Sequence, residues 1–192
     1  MLAVNVSWYA ARSAGLVGWA LLTASVLWGL VLSTKAAVLG RRPRPAWTLD
    51  LHRYLGGLAT IFTAVHVVAV VADSYLHFGV AAVLIPFASS WRPAAVAWGV
   101  VAMYLLAAVE LTALARKHLS RRVWRATHMA SFPLYLFATV HAVSAGTDGR
   151  SMLFVTAAAV SIAGVCGLVA LRLAPPEKPV STAARFRERV AA

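Results

Sequence analysis

Apolar residues in this chain do not recur with the period of a strand or of an amphipathic helix; they run on for about 20 residues at a time. Five such runs can be marked off. The first covers about 14–38 and is rich in Leu, Val and Trp; it ends at Lys35 and the cluster Arg41, Arg42 and Arg44, where Pro43 and Pro45 break a helix. The second covers about 51–72 and stops at Asp73. A semi-polar stretch, 74–92, carries Pro86, Ser89 and Ser90 and has the length of a short interfacial helix. The third run, 93–115, meets Arg116, Lys117, Arg121, Arg122 and Arg125; the fourth, 123–145, closes at Gly146-Thr147-Asp148-Gly149; the fifth, 151–173, is stopped by Pro175-Pro176. Each run is long enough to span the roughly 30 Å hydrocarbon core of a bilayer as a helix. The pattern predicts an all-α fold, a polytopic membrane bundle of about five transmembrane helices.

Composition supports lipid as the solvent. Of 192 residues 61% are hydrophobic and 12% charged, against about half and a quarter in soluble domains. The formal net charge of +12 does not point to nucleic acid, because the cations stand at the ends of apolar runs and so report topology. Five crossings place every Lys and Arg on one side except Arg12, Arg92 and Arg150. The positive-inside rule then puts the N-terminus outside and the C-terminus in the cytoplasm, as in a bacterial-type plasma membrane. An even number of helices would spoil this partition. The chain divides into a membrane domain, 1–174, and a short basic cytoplasmic tail, 175–192, with Lys178, Arg185, Arg187 and Arg189. No basic n-region or small-residue cleavage site marks a signal peptide. The single cysteine, Cys166, excludes an internal disulfide and any cysteine-based zinc or iron–sulfur site, and reads as a small buried thiol.

Four of the six histidines carry the chemistry. His52 and His66 are 14 residues apart on the second run, and His128 and His141 are 13 apart on the fourth. At 1.5 Å per residue each pair is separated by about 20 Å along its helix. Both runs cross in the same direction, so His52 and His128 share a depth near the cytoplasmic face, and His66 and His141 share one near the outer face. Two layers of two imidazoles suit bis-histidine haem, in which a six-coordinate iron transfers electrons without an open site. A zinc site needs its ligands within a few ångströms, which layers so far apart do not offer. The 13-residue spacing makes only 3.6 turns and leaves His128 and His141 off a common face of an ideal helix. Pro133 lies between them, and a distortion of the helix is expected there.

Other residues support this reading less specifically. Gly56, one turn after His52, and the adjacent Gly57 would leave room for a porphyrin or for close helix packing. Arg53 and Arg125 flank the cytoplasmic pair and are candidate partners for haem propionates, or mark topology alone. Phe62, Phe132 and Phe137 fall between the layers, either against the macrocycles or as simple filling. His77 reads as a solvated outer-loop side chain that could touch an acceptor, and His118 as an interfacial side chain. Glu110 is the one carboxylate well inside a run, where it suits proton or quinone chemistry or pairs with a nearby Arg.

At "LHRYLGGLATIFTAVH", with His52 and His66, and "WRATHMASFPLYLFATVH", with His128 and His141, the chain resembles the ferric reductase-like transmembrane domain superfamily. That group includes the membrane core of NADPH oxidases and ferric reductases and the haem-binding membrane subunit of the bacterial periplasmic methionine sulfoxide reductase system. The resemblance covers roughly 48–146, and both spacings match its ligand pattern, including the 13. It implies two haem b groups, with His52 and His128 on the inner haem iron and His66 and His141 on the outer one. Full-length oxidases continue into a flavin- and nucleotide-binding region; here no G-x-G-x-x-G occurs. Electrons are therefore expected from a separate protein, a quinol or a free flavin, with FMN or quinone as possible further cofactors and a separate acceptor outside. The chain reads as the haem-bearing subunit of an oxidoreductase system, with no catalytic residue of its own evident. Two rivals stay open: a non-redox transporter or proton channel, and an anchor subunit with structural histidines.

Overall fold

A computed structural model describes residues 2–34, 45–73 and 78–174. These residues form helices and connecting turns, with no strand among them: α1 (Leu2–Thr34), α2 (Pro45–Ala72), α3 (Val80–Leu84), α4 (Pro93–Leu114), a 3₁₀ turn (Arg116–His118), α5 (Arg121–Met129), α6 (Ser131–Ala145) and α7 (Met152–Leu173). The all-helical fold expected from the sequence is the fold observed. Four helices are long and apolar enough to cross a membrane: Val6–Thr34, Ala46–Ala72, Pro93–Leu114 and Met152–Leu173. Their large apolar side chains lie exposed around the bundle, among them Ile61, Val68, Leu111, Leu114, Val160 and Leu171. Such a surface is costly in water and ordinary against lipid tails. Cys166 sits on this exposed surface of α7 rather than in the interior.

The fourth expected span departs from the single helix drawn for it. Residues 121–145 form two helices, α5 and α6, broken at Ala130, and α6 alone, 15 residues, reaches only about 22 Å. Pro133 explains the break. Its ring has no N–H for the carbonyl of Met129 and would clash with that carbonyl in a continuous helix, whereas in the first turn of a new helix it costs little. The backbone tightens accordingly: Ala130 N–H donates to Thr127 O at 3.0 Å, and α-helical bonding resumes with Leu134 N–H to Ala130 O at 2.9 Å. Tightening adds rotation per residue, the direction needed to bring His141 back toward the face of His128.

Among the described residues, the semi-polar stretch yields only α3, five residues long. Helix α1 is the centre of the bundle. It packs antiparallel on α2, with Trp28 Nε1 donating to Thr48 O at 2.9 Å. It reaches α6 through Trp19 Nε1 to Thr139 Oγ1 at 3.0 Å, and α7 where Trp19 meets Phe154, ring centres 4.8 Å apart. Helices α4 and α6 are also antiparallel, with Trp98 and Phe137 5.0 Å apart. The Tyr135 and Ser161 hydroxyls, 2.5 Å apart, tie α6 to α7. The core joins Leu22, Val26 and Leu30 of α1 to Ala59 of α2, Leu106 of α4 and Leu134 of α6; Phe132 and Phe137 pack against it.

Candidate functional site

The fold brings the four histidines of α2, α5 and α6 together as two pairs. The rings of His52 and His128 have centres 5.9 Å apart at an interplanar angle of 83°. Those of His66 and His141 are 6.3 Å apart at 76°. The two pairs stand toward opposite ends of the bundle. Around the first lie the exposed cations Arg116, Lys117, Arg121, Arg122 and Arg125. At the second, Arg12 forms a bidentate ion pair with Asp148 and Arg92 donates to Ser144 O at 2.8 Å.

Hydrogen bonds fix the orientation of three of these rings. His66 Nδ1 lies 2.7 Å from Ala11 O on α1, and His141 Nδ1 lies 2.8 Å from Ala95 O on α4. His52 Nδ1 is 3.0 Å from Ser25 O and 3.2 Å from Ser25 Oγ, both on α1. A carbonyl oxygen only accepts, so in each ring Nδ1 carries the proton. The neutral imidazole then presents the lone pair of Nε2 for a metal, the arrangement in which the second nitrogen's hydrogen bond sets the ligand tautomer. His128 differs: its Nδ1 is buried without a hydrogen-bond partner among the described residues. Its ring is stacked on Trp124, centres 5.2 Å apart at 16°, and Arg116 lies over Trp124 at 4.5 Å.

A cavity of about 350 Å³ opens beside His66 and His141. Its walls come mostly from α1, α2, α4 and α6 and are largely apolar; besides the two histidines, Thr63, Thr147 and the Arg12–Asp148 pair are polar exceptions. Glycines Gly15, Gly18 and Gly99 line it. A flat, largely apolar group with a charged edge suits such a space better than a bare ion. No group of three or more His, Cys, Asp or Glu side chains that could hold a metal ion gathers among the described residues.

The remaining sequence candidates fall in varied places. Arg53 is exposed and 3.6 Å from Asp50 one turn away, and Arg125 is exposed on α5. Gly56 faces the Glu110 carboxylate: a Cβ there would lie 2.8 Å from Glu110 Oε1, so that carboxylate already fills the room Gly56 leaves. A Cβ at Gly57 would meet nothing within 4 Å. Glu110 makes no ion pair among the described residues. Phe62 lies beside Gly18 of α1. His118 is exposed in the 3₁₀ turn. His77, the cations between 35 and 44 and the 175–192 tail lie outside the described residues.

The sequence reading missed the partners of the histidines: the carbonyls of Ala11, Ser25 and Ala95 and the glycines Gly15, Gly29 and Gly99. A signal for them exists. Ala11-x₃-Gly15 and Ser25-x₃-Gly29 repeat at 14 residues on α1, the same interval as His52 and His66 on the antiparallel α2. A family model described as ferric reductase like transmembrane component matches residues 14–139, well over half the chain. The match includes His52, His66 and His128 and ends just before His141. No curated protein and no solved structure matches the chain.

Proposed function

Because the chain belongs to the ferric reductase-like transmembrane family, we propose that it carries electrons across a membrane through two haem b groups, one held by His52 and His128 and the other by His66 and His141. The spacing of the paired rings carries this reading. Two imidazoles that would hold one metal ion between them, each at a first-row metal–nitrogen distance of about 2.0–2.1 Å, need ring centres roughly 6 Å apart. The observed separations are 5.9 and 6.3 Å. When bound, haem supplies one-electron chemistry at a coordinatively saturated iron.

The protein's part is to fix ligands and medium. The Nδ1–H bonds to Ala11, Ser25 and Ala95 hold three imidazoles in the ligating tautomer. The apolar core around Leu22, Leu106 and Leu134 keeps the space between the layers dry, where charge and water would be costly. Arg53 and Arg125 are the cations nearest in sequence to the first pair and would meet propionates there. The cation-rich face is the cytoplasmic one by the positive-inside rule, so electrons enter at the His52–His128 layer and leave at the His66–His141 layer. The donor is a separate flavoprotein, free flavin such as FMN, or a quinol, and the acceptor lies outside, in a bacterial-type plasma membrane. The chain is then the electron-transfer subunit of an oxidoreductase system, and its 175–192 tail a basic cytoplasmic extension.

The direction can be tested in sealed vesicles of known sidedness. With the haem prereduced, membrane-impermeant ferricyanide on the side opposite Lys117 should reoxidise the wild type within the mixing time. The His66→Ala protein should reoxidise at least tenfold more slowly, because the exit layer is gone. Equal rates in the two proteins would contradict the path.

A further inference from the structure

Three of the four paired histidines rest in the same kind of notch, and the helix geometry explains why it takes a glycine. In an α-helix a side chain covers the turn N-terminal to its own Cα. The carbonyl of residue i therefore lies beneath the Cβ of residue i+4, the residue whose N–H it already accepts. A carbonyl has a second lone pair, but a ring from a neighbouring helix reaches it only where residue i+4 carries no Cβ. His66 bonds Ala11, and Gly15 stands four residues on; His52 bonds Ser25, and Gly29 stands four on; His141 bonds Ala95, and Gly99 stands four on. A Cβ would lie 2.9 Å from His66 Nδ1 at Gly15, 3.0 Å from His52 Cε1 at Gly29 and 2.6 Å from His141 Nδ1 at Gly99. All three rings are already hydrogen-bonded through Nδ1 to the carbonyl that the notch exposes, so a Cβ there would push each ring off that bond.

His128 stands apart. It lies on α5, before the break at Ala130, and among the described residues its Nδ1 has no hydrogen-bond partner; its ring is stacked on Trp124.

We propose that Gly15, Gly29 and Gly99 are positioning residues that open a helix carbonyl to His66, His52 and His141 and so aim their Nε2 atoms between the paired rings. That these rings then ligate haem rests on the functional reading above; the notches themselves do not.

The test uses the full-length protein and two readouts. Histidine ¹⁵N NMR of protein made without haem reads the notches directly. His52, His66 and His141 should carry the proton on Nδ1, and Gly99→Ala should release His141 to the Nε2–H tautomer. The proton on Nε2 in all three wild-type rings overturns the proposal. In haem-loaded protein, Gly15→Ala and Gly99→Ala should shift or abolish the low-spin EPR signal of one haem and Gly29→Ala that of the other. Gly167→Ala, on the exposed face of α7 where a Cβ meets nothing within 4 Å, should change neither. Unchanged signals in all three notch variants also overturn the proposal. Wild-type protein without haem would sink the functional reading alone, since the NMR still decides the notches.

Discussion

The His141→Ala protein is expected to purify with about one haem per chain in place of two, and with the remaining low-spin spectrum unchanged. His141 faces His66 at 6.3 Å, and its ring is held by Ala95 on α4. Apart from His66, the side-chain nitrogens lining the cavity beside it are those of Arg12, Trp8, Trp19 and Trp91, and guanidinium and indole N–H groups donate but offer no lone pair to a metal. The other pair stands about 20 Å away along the helices, with Leu22, Leu106 and Leu134 between, so its spectrum should not respond. Pyridine haemochrome assay with low-temperature EPR checks both halves of this expectation. Two haems in the variant would mean that His141 is not a ligand. Loss of both would mean that the two layers are not independent.

Pro133→Ala tests how the 13-residue spacing is accommodated, and its effect should be nearly as large. Restoring the N–H and removing the ring clash lets α5 and α6 join into one helix, for which alanine is the better former. A continuous helix sets His128 and His141 about 140° apart around the axis. Helix α6 is anchored by Trp19, Ser161 and the packing of Trp98 on Phe137. Helix α5 is short and mostly exposed, so α5 is the element that turns. His128 leaves His52, and the haem of that layer should be lost or become high-spin while the His66–His141 layer stays low-spin. A variant with both signals intact would show that the break at Ala130 does not depend on the proline.

The extent to which all this was legible differs from element to element. Apolar runs of about 20 residues leave a chain no stable option but helices across lipid, so the helical fold and four of the spans were readable. The fourth run looked continuous because hydropathy is blind to a missing N–H, although Pro133 did mark where a distortion was to be sought. The 14-residue spacing of His52 and His66 could be read from helical periodicity alone. That of His128 and His141 could not, because the break at Ala130 changes the rotation between them. Gly56 was singled out for standing on the same helix as His52, yet the space it leaves is filled by Glu110. The glycines that touch the histidines lie on other helices, and such pairings depend on the antiparallel register of α1 with α2 and α4 with α6. Ion pairs such as Arg12 with Asp148 are likewise set by packing and leave no local signature.

The most direct test of the whole account is the haem content of the wild-type protein. Protein purified from haem-replete cells should give a reduced-minus-oxidised spectrum of b type and about two haems per chain by pyridine haemochrome, all low-spin. Colourless protein that is folded and monodisperse would contradict it, and the paired histidines would then have to serve a purpose other than electron transfer.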